Sequence, residues 1–202
     1  MSLKDELLGA PRAAPPYQLL LPPDWAAFEP DEQTQSLLLG EAKARFREAH
    51  RPDLAAQMMR MATQAFSQMR RNDTIAFYMH RPGQSDDVLP ISITVSHRVA
   101  PDGQNFDRTV SELIRSQGAQ PFDAAKVMIR WAKETVHEVD GERIATHTIA
   151  YLTPIPGSMR REALQFAAVV SHPVGMDAES GILRSYILAC DAIMATFAWL
   201  PE

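Results

Sequence analysis

The chain has 202 residues, 46% of them hydrophobic and 22% charged, and a formal net charge of −5. That length suits one domain with its own core, and the acidic balance argues against a nucleic-acid partner, which calls for a basic face. The single cysteine, Cys190, allows no intramolecular disulfide and points to a reducing, cytoplasmic compartment.

In chain order, residues 1–16 read as a flexible N-terminal arm. The prolines within Ala10–Pro16 remove donors and restrict their neighbours, and no apolar h-region of a secretory signal is present. Residues 17–202 read as a single domain. Tyr17–Leu21 is a short strand stopped by Pro22 and Pro23. A helix from about Asp31 to His50 follows, with Glu29, Asp31 and Glu32 at its start and Lys43, Arg45 and Arg47 near its end, which complements the helix dipole. A second helix opens at Pro52 and ends at Arg70-Arg71-Asn72. Leu54, Met58, Met61, Ala62, Ala65 and Met69 form its expected buried stripe.

From Thr74 the period becomes two. Ile75, Phe77 and Met79 alternate with Thr74, Ala76, Tyr78 and His80. After the loop Arg81–Asp87 comes the cleanest strand, with Leu89, Ile91, Ile93, Val95 and Val99 on one face and Ser92, Thr94, Ser96 and Arg98 on the other. Asn105–Gln117 is a short helix with Gly118 as its stop. Lys126–Val139 and Arg143–Ile155 form a hairpin about Asp140-Gly141, whose type I′ register sets Glu138 opposite Arg143 and Glu134 opposite His147. Leu164–Val170 is a last strand, stopped at Pro173. The closing helix opens near Asp177 and carries a broad apolar stripe from Leu183 to Phe197. The order β-α-α-β-β-α-β-β-β-α predicts an α+β fold, with helices packed on a six-stranded antiparallel sheet.

The opening Leu19-Leu20-Leu21-Pro22-Pro23-Asp24-Trp25 and the tail Cys190–Trp199 resemble PsbP-like α/β/α sandwich proteins, in particular their small actinobacterial members. The resemblance implies an antiparallel central sheet and accessory or binding roles, and it carries over no catalytic residue. Two long helices straight after the first strand are also similar to the helix-grip fold of lipid- and polyketide-binding proteins, which is the alternative architecture.

Catalytic signatures are absent: there is no G-x-S-x-G, P-loop or G-x-G-x-x-G, and Gly157-Ser158 is a loop dipeptide. The six histidines show no H-x-H or H-x-x-x-H spacing, and His137 and His147 point to opposite faces of the hairpin, so neither a metal nor a cofactor is expected. The strip Ser92, Thr94, Ser96 and Arg98 is a candidate ligand or partner surface, and its bland reading is a solvated sheet face or hydroxyls under a helix edge. Met59 and Arg60, off the centre of the second helix's stripe, are a candidate partner surface. His97 on the apolar strand face and Asp191 beside the apolar helix stripe are candidate buried polar groups, and a satisfied core histidine and a solvated carboxylate are their bland readings. Trp25 and Trp199 are expected to pack together and tie down the chain ends.

Three functions remain open. The first is a non-catalytic binding or adaptor domain whose partner is another protein, the chain being a monomer or homodimer. The second is a carrier of a small apolar ligand in a cavity under the last helix. The third is an enzyme with a cleft around His97 and Arg98.

Overall fold

The computed structural model describes residues 14–48, 52–81, 90–101, 104–124, 127–139, 142–179 and 181–201. The loop expected at Arg81–Asp87, apart from Arg81 itself, the Asp140-Gly141 turn and most of the N-terminal arm lie outside them. The elements are β1 (Tyr17–Gln18), β2 (Trp25–Phe28), α1 (Glu32–Glu48), α2 (Pro52–Arg71), β3 (Thr74–His80), β4 (Ile91–Val99), α3 (Asp107–Gln117), β5 (Gln120–Pro121), β6 (Ile129–Val139), β7 (Glu142–Pro154), β8 (Glu162–Pro173), α4 (Gly181–Met194) and β9 (Ala198–Trp199). The fold is the expected α+β class, with four helices among the described residues packed on an antiparallel sheet. The sheet has seven strands rather than six, in the order β2-β3-β4-β8-β7-β6-β5, and β1 pairs separately with β9. The added strands β2, β5 and β9 are two to four residues long, too short to leave an alternating pattern in the sequence.

The hairpin register is the expected one, with Glu138 opposite Arg143 and Glu134 opposite His147. Across β4, β8 and β7 the apolar face forms rows: Val95 with Phe166 and Tyr151, and Ile93 with Ala168 and Ile149. These side chains are fully buried together with Leu183, Cys190 and Met194 of α4. Each large apolar side chain buried there contributes roughly 1.5–3 kcal/mol. Val99 does not join them. It pairs with Glu162 at the end of the sheet and is exposed, because β4 runs past the last core row. Ile75 is exposed as well, where a bulge shifts the β3–β4 register between Thr74 and Ala76.

The opposite face is covered in two places. α3 closes one end over Ile129, Leu152 and Ala163 by way of Phe106, Val110 and Leu113. Gly118 stops α3 in the left-handed region (φ 65°), with its N–H donated to the Leu113 carbonyl. The α1–α2 pair sits over β3, where the Phe66 ring meets Phe77 edge-on and Phe77 stacks on Phe28. α1 begins where the Asp31 carboxylate accepts the Thr34 N–H at 2.7 Å.

The inward stripe of α2 differs from the expected one. Ala55, Met59, Ala62, Phe66 and Met69 turn inward, and Met58 and Met61 are 45% and 48% exposed. The helix is apolar on two neighbouring faces, and Phe77 of the sheet receives the one that carries Phe66. α4 ends at Met194, short of Phe197, because a turn leads into β9. Trp199 packs on Tyr17 and Phe197 rather than on Trp25, which is buried in β2 opposite His80. The described ends are nonetheless joined, by the β1–β9 pair and by the Leu200 N–H donated to the Pro16 carbonyl.

Candidate functional site

Strict alternation in β4 turns Ser92, Thr94, Ser96 and Arg98 to the face that carries α2 and α3. Half of this strip is committed to structure. Ser96 is buried and its hydroxyl bonds to that of Thr74 at 3.0 Å. Arg98 Nε donates to Gln165 Oε1 at 2.9 Å, and Nη1 reaches the Asn72 carbonyl at 3.4 Å. A guanidinium against the last carbonyls of α2 also suits the negative end of that helix. Ser92 and Thr94 are half-buried beside Val169 and Ala167 of β8, and Thr94 Oγ1 lies 3.5 Å from the Ala167 carbonyl. The strip therefore forms a floor of small and hydroxyl side chains running up to the C-terminal turn of α2.

Along α2 itself lies a cleft of about 770 Å³. Among the described residues it is lined by Met59, Arg60, Thr63, Gln64, Ser67, Gln68, Arg71 and Asn72. Their spacing of one and four makes them one flank of the helix. The flank displays two cations, three carboxamides and two hydroxyls, with no carboxylate among them. Arg70 is held by Gln35 Oε1 at 3.1 Å, whereas Arg60 and Arg71 have no side-chain partner among the described residues. Met59 and Arg60, singled out from the sequence, thus both line the cleft, and Arg98 touches its end at Asn72. Thr63, Gln64, Ser67, Gln68 and Arg71 were missed, although their repeat at four-residue spacing was legible as a single helix flank.

His97 and Asp191 both lie toward the α4 side of the sheet, at separate places. His97 Nε2 pairs with Glu162 Oε2 at 2.8 Å, and Ser158 in the same stretch spends its hydroxyl on the Ile155 and Glu162 carbonyls. Asp191 turns inward, where its Oδ1 accepts from Arg130 Nε at 2.7 Å and from the Tyr151 hydroxyl at 2.6 Å. Burial and the bond to Asp191 push the Tyr151 phenol far up, and burial together with the Asp191 charge pushes the Cys190 thiol up to about 12. Neither group is primed as a nucleophile. Farther along the same face His172 is buried, its Nδ1–H donated to the Pro173 carbonyl and its Nε2 3.7 Å from Glu134 Oε2. Among the described residues no three His, Cys, Asp or Glu side chains are grouped to hold a metal ion. No described helix is long and apolar enough to cross a membrane.

The class of protein defined so far is an α+β domain with helices on an antiparallel sheet and a polar helix flank beside a hydroxyl-bearing sheet face. Solved structures of similar fold include PsbP-like and actinobacterial proteins. Cyanobacterial PsbP (CyanoP) from Synechocystis is 11% identical with a TM-score of 0.35, over 95% of this chain and 96% of that one. LpqN of Mycobacterium tuberculosis, described as involved in cell envelope biogenesis, is 12% identical with a TM-score of 0.41, over 100% and 98%. A Bacteroides thetaiotaomicron protein is 12% identical with a TM-score of 0.45 over 92% of this chain, which spans 46% of that one. At these identities and scores the likeness says nothing about function. No family model and no curated protein matches the chain.

Proposed function

We propose that this protein is a non-catalytic binding domain whose partner is another protein, seated along α2 and the adjoining strip on β4. The observation that carries this reading is the α2 flank: three turns of mostly exposed and mostly polar side chains around a cleft of about 770 Å³, with two arginines that have no side-chain partner among the described residues. Interfaces favour such arginines at their contacts. Two further observations support it. His97 is paired with Glu162, Arg98 with Gln165, and Asp191 with Arg130 and Tyr151, so the polar groups a catalytic reading needs are engaged within the fold. Under α4, where a carrier needs a cavity, Tyr151, Phe166 and Ile149 are fully buried against Leu183 and Met194.

The test is site-specific photo-crosslinking in the native host, with a benzophenone residue placed at Met59 or Gln64 and, as a control, at exposed Leu188 on α4. The expected result is one discrete protein adduct from the α2 positions and none from Leu188. Absence of an adduct from α2, or the same adducts from all three positions, would overturn the reading.

A further inference from the structure

We infer that the α2 flank takes an extended acidic segment of the partner, with one carboxylate at Arg60 and another at Arg71. This rests on the protein-binding reading above and adds the chemistry of what is bound. Arg60 and Arg71 stand three turns apart on one flank, roughly 16 Å along the axis at ~1.5 Å per residue. An extended chain advances ~3.3 Å per residue, so acidic residues about five positions apart meet both guanidiniums. Between the two cations Gln64 and Gln68 are exposed and Ser67 is half-buried, and their amides and hydroxyl can bond the main chain of such a segment.

The flank's charge supplies the complementarity. It carries two free cations and no carboxylate among the described residues, in a chain whose net charge is −5. Arginine binds carboxylates through two parallel N–H donors, which gives the contact direction as well as strength. A nucleic acid fits less well. A duplex presents one charge per ~1.7 Å, so two cations roughly 16 Å apart neutralise little of it, and the acidic remainder of the chain repels it.

The experiment uses fluorescence anisotropy with the full chain. Its probes are a short labelled peptide with glutamates about five residues apart, the same peptide with glutamines in their place, and a labelled single-stranded oligodeoxynucleotide. The expected result is that the glutamate peptide binds, with affinity falling as salt rises, and that the glutamine peptide binds at least about tenfold more weakly. The double variant Arg60→Glu/Arg71→Glu should lose the glutamate peptide by at least about the same factor, with its circular dichroism unchanged because both side chains are exposed. Equal binding of the two peptides, no binding of the glutamate peptide, or tighter binding of the oligonucleotide would overturn the inference. If the Met59 crosslink survives such an outcome, the acidic chemistry falls and the protein-binding reading stands. If the crosslink is missing too, both fall.

Discussion

Four buried ring nitrogens have no hydrogen-bond partner among the described residues: Trp25 Nε1, His80 Nδ1, His147 Nδ1 and His172 Nε2. Two of them sit in one neighbourhood, since Glu134 is the cross-strand partner of His147 and lies 3.7 Å from His172 Nε2. Burial holds the His147 imidazole below the usual histidine range. The nearby Glu134 and Asp191 charges oppose this, and His172 and Arg130 reinforce it. A base whose folded pKa is depressed takes its proton more readily when unfolded. Its contribution to stability is therefore whole above the unfolded value of 6.5 and is lost as the pH falls from there through the depressed folded value. Urea midpoints should drop between about pH 7.5 and pH 5, and His147→Gln should flatten that slope. A slope unchanged in the variant would place the acid sensitivity elsewhere. The pairing of Glu134 with His147 was legible from the Asp140-Gly141 turn. The approach of His172, on a third strand, was not, because strand-to-strand order leaves no local trace.

At the scale of elements, the α1–α2 pair depends on few anchors. Phe66, 4% exposed, meets Phe77, which stacks in turn on Phe28. Truncating an aromatic at such a site costs about 3–5 kcal/mol, the lost burial and the cavity together. Phe66→Ala should therefore destabilise the chain by about that much. Hydrogen exchange should accelerate most in α1 and α2, while the β7–β8 amides keep their protection. Uniform acceleration through the sheet would mean that the helix pair and the sheet unfold as one unit. Here the sequence pattern misled for a physical reason. The repeats of α2 allow two stripes that share Ala62 and Met69, the expected one adding Met58, Met61 and Ala65 and the observed one adding Met59 and Phe66. Helical periodicity alone does not say which one meets an aromatic on another element.

For the whole molecule, closure is aromatic. Phe197, Tyr17, Phe166 and Trp199 form a cluster with ring centroids 5.1–6.3 Å apart, so the turn after α4, both short end strands and the sheet meet at one place. The Tyr17 and Tyr78 hydroxyls bond at 2.8 Å in the same region. If this is packing and not the mouth of a ligand cavity, Phe197→Ala should cost about 3 kcal/mol in chemical denaturation. Native mass spectrometry of the unaltered chain should then show no small molecule released on unfolding. A retained mass of a few hundred daltons, with little loss of stability in the variant, would favour the carrier instead.

By itself the sequence determined the features whose causes lie within a few neighbouring residues. The alternation of β4 put Ser92, Thr94, Ser96 and Arg98 on one face. Asp140-Gly141 set the register of β6 on β7, Gly118 stopped α3, and a run of strands between helices specified an α+β fold on an antiparallel sheet. Only the tertiary structure decided what depends on distant partners. The pairing of β4 with β8, the seventh strand, the turning of Asp191 toward Arg130 and Tyr151, and the choice of the stripe through Phe66 on α2 each follow from a surface supplied by another part of the chain. Backbone propensity fixes that a helix forms and where a strand's side chains alternate. The direction in which a helix face points is settled by the apolar surface it can bury.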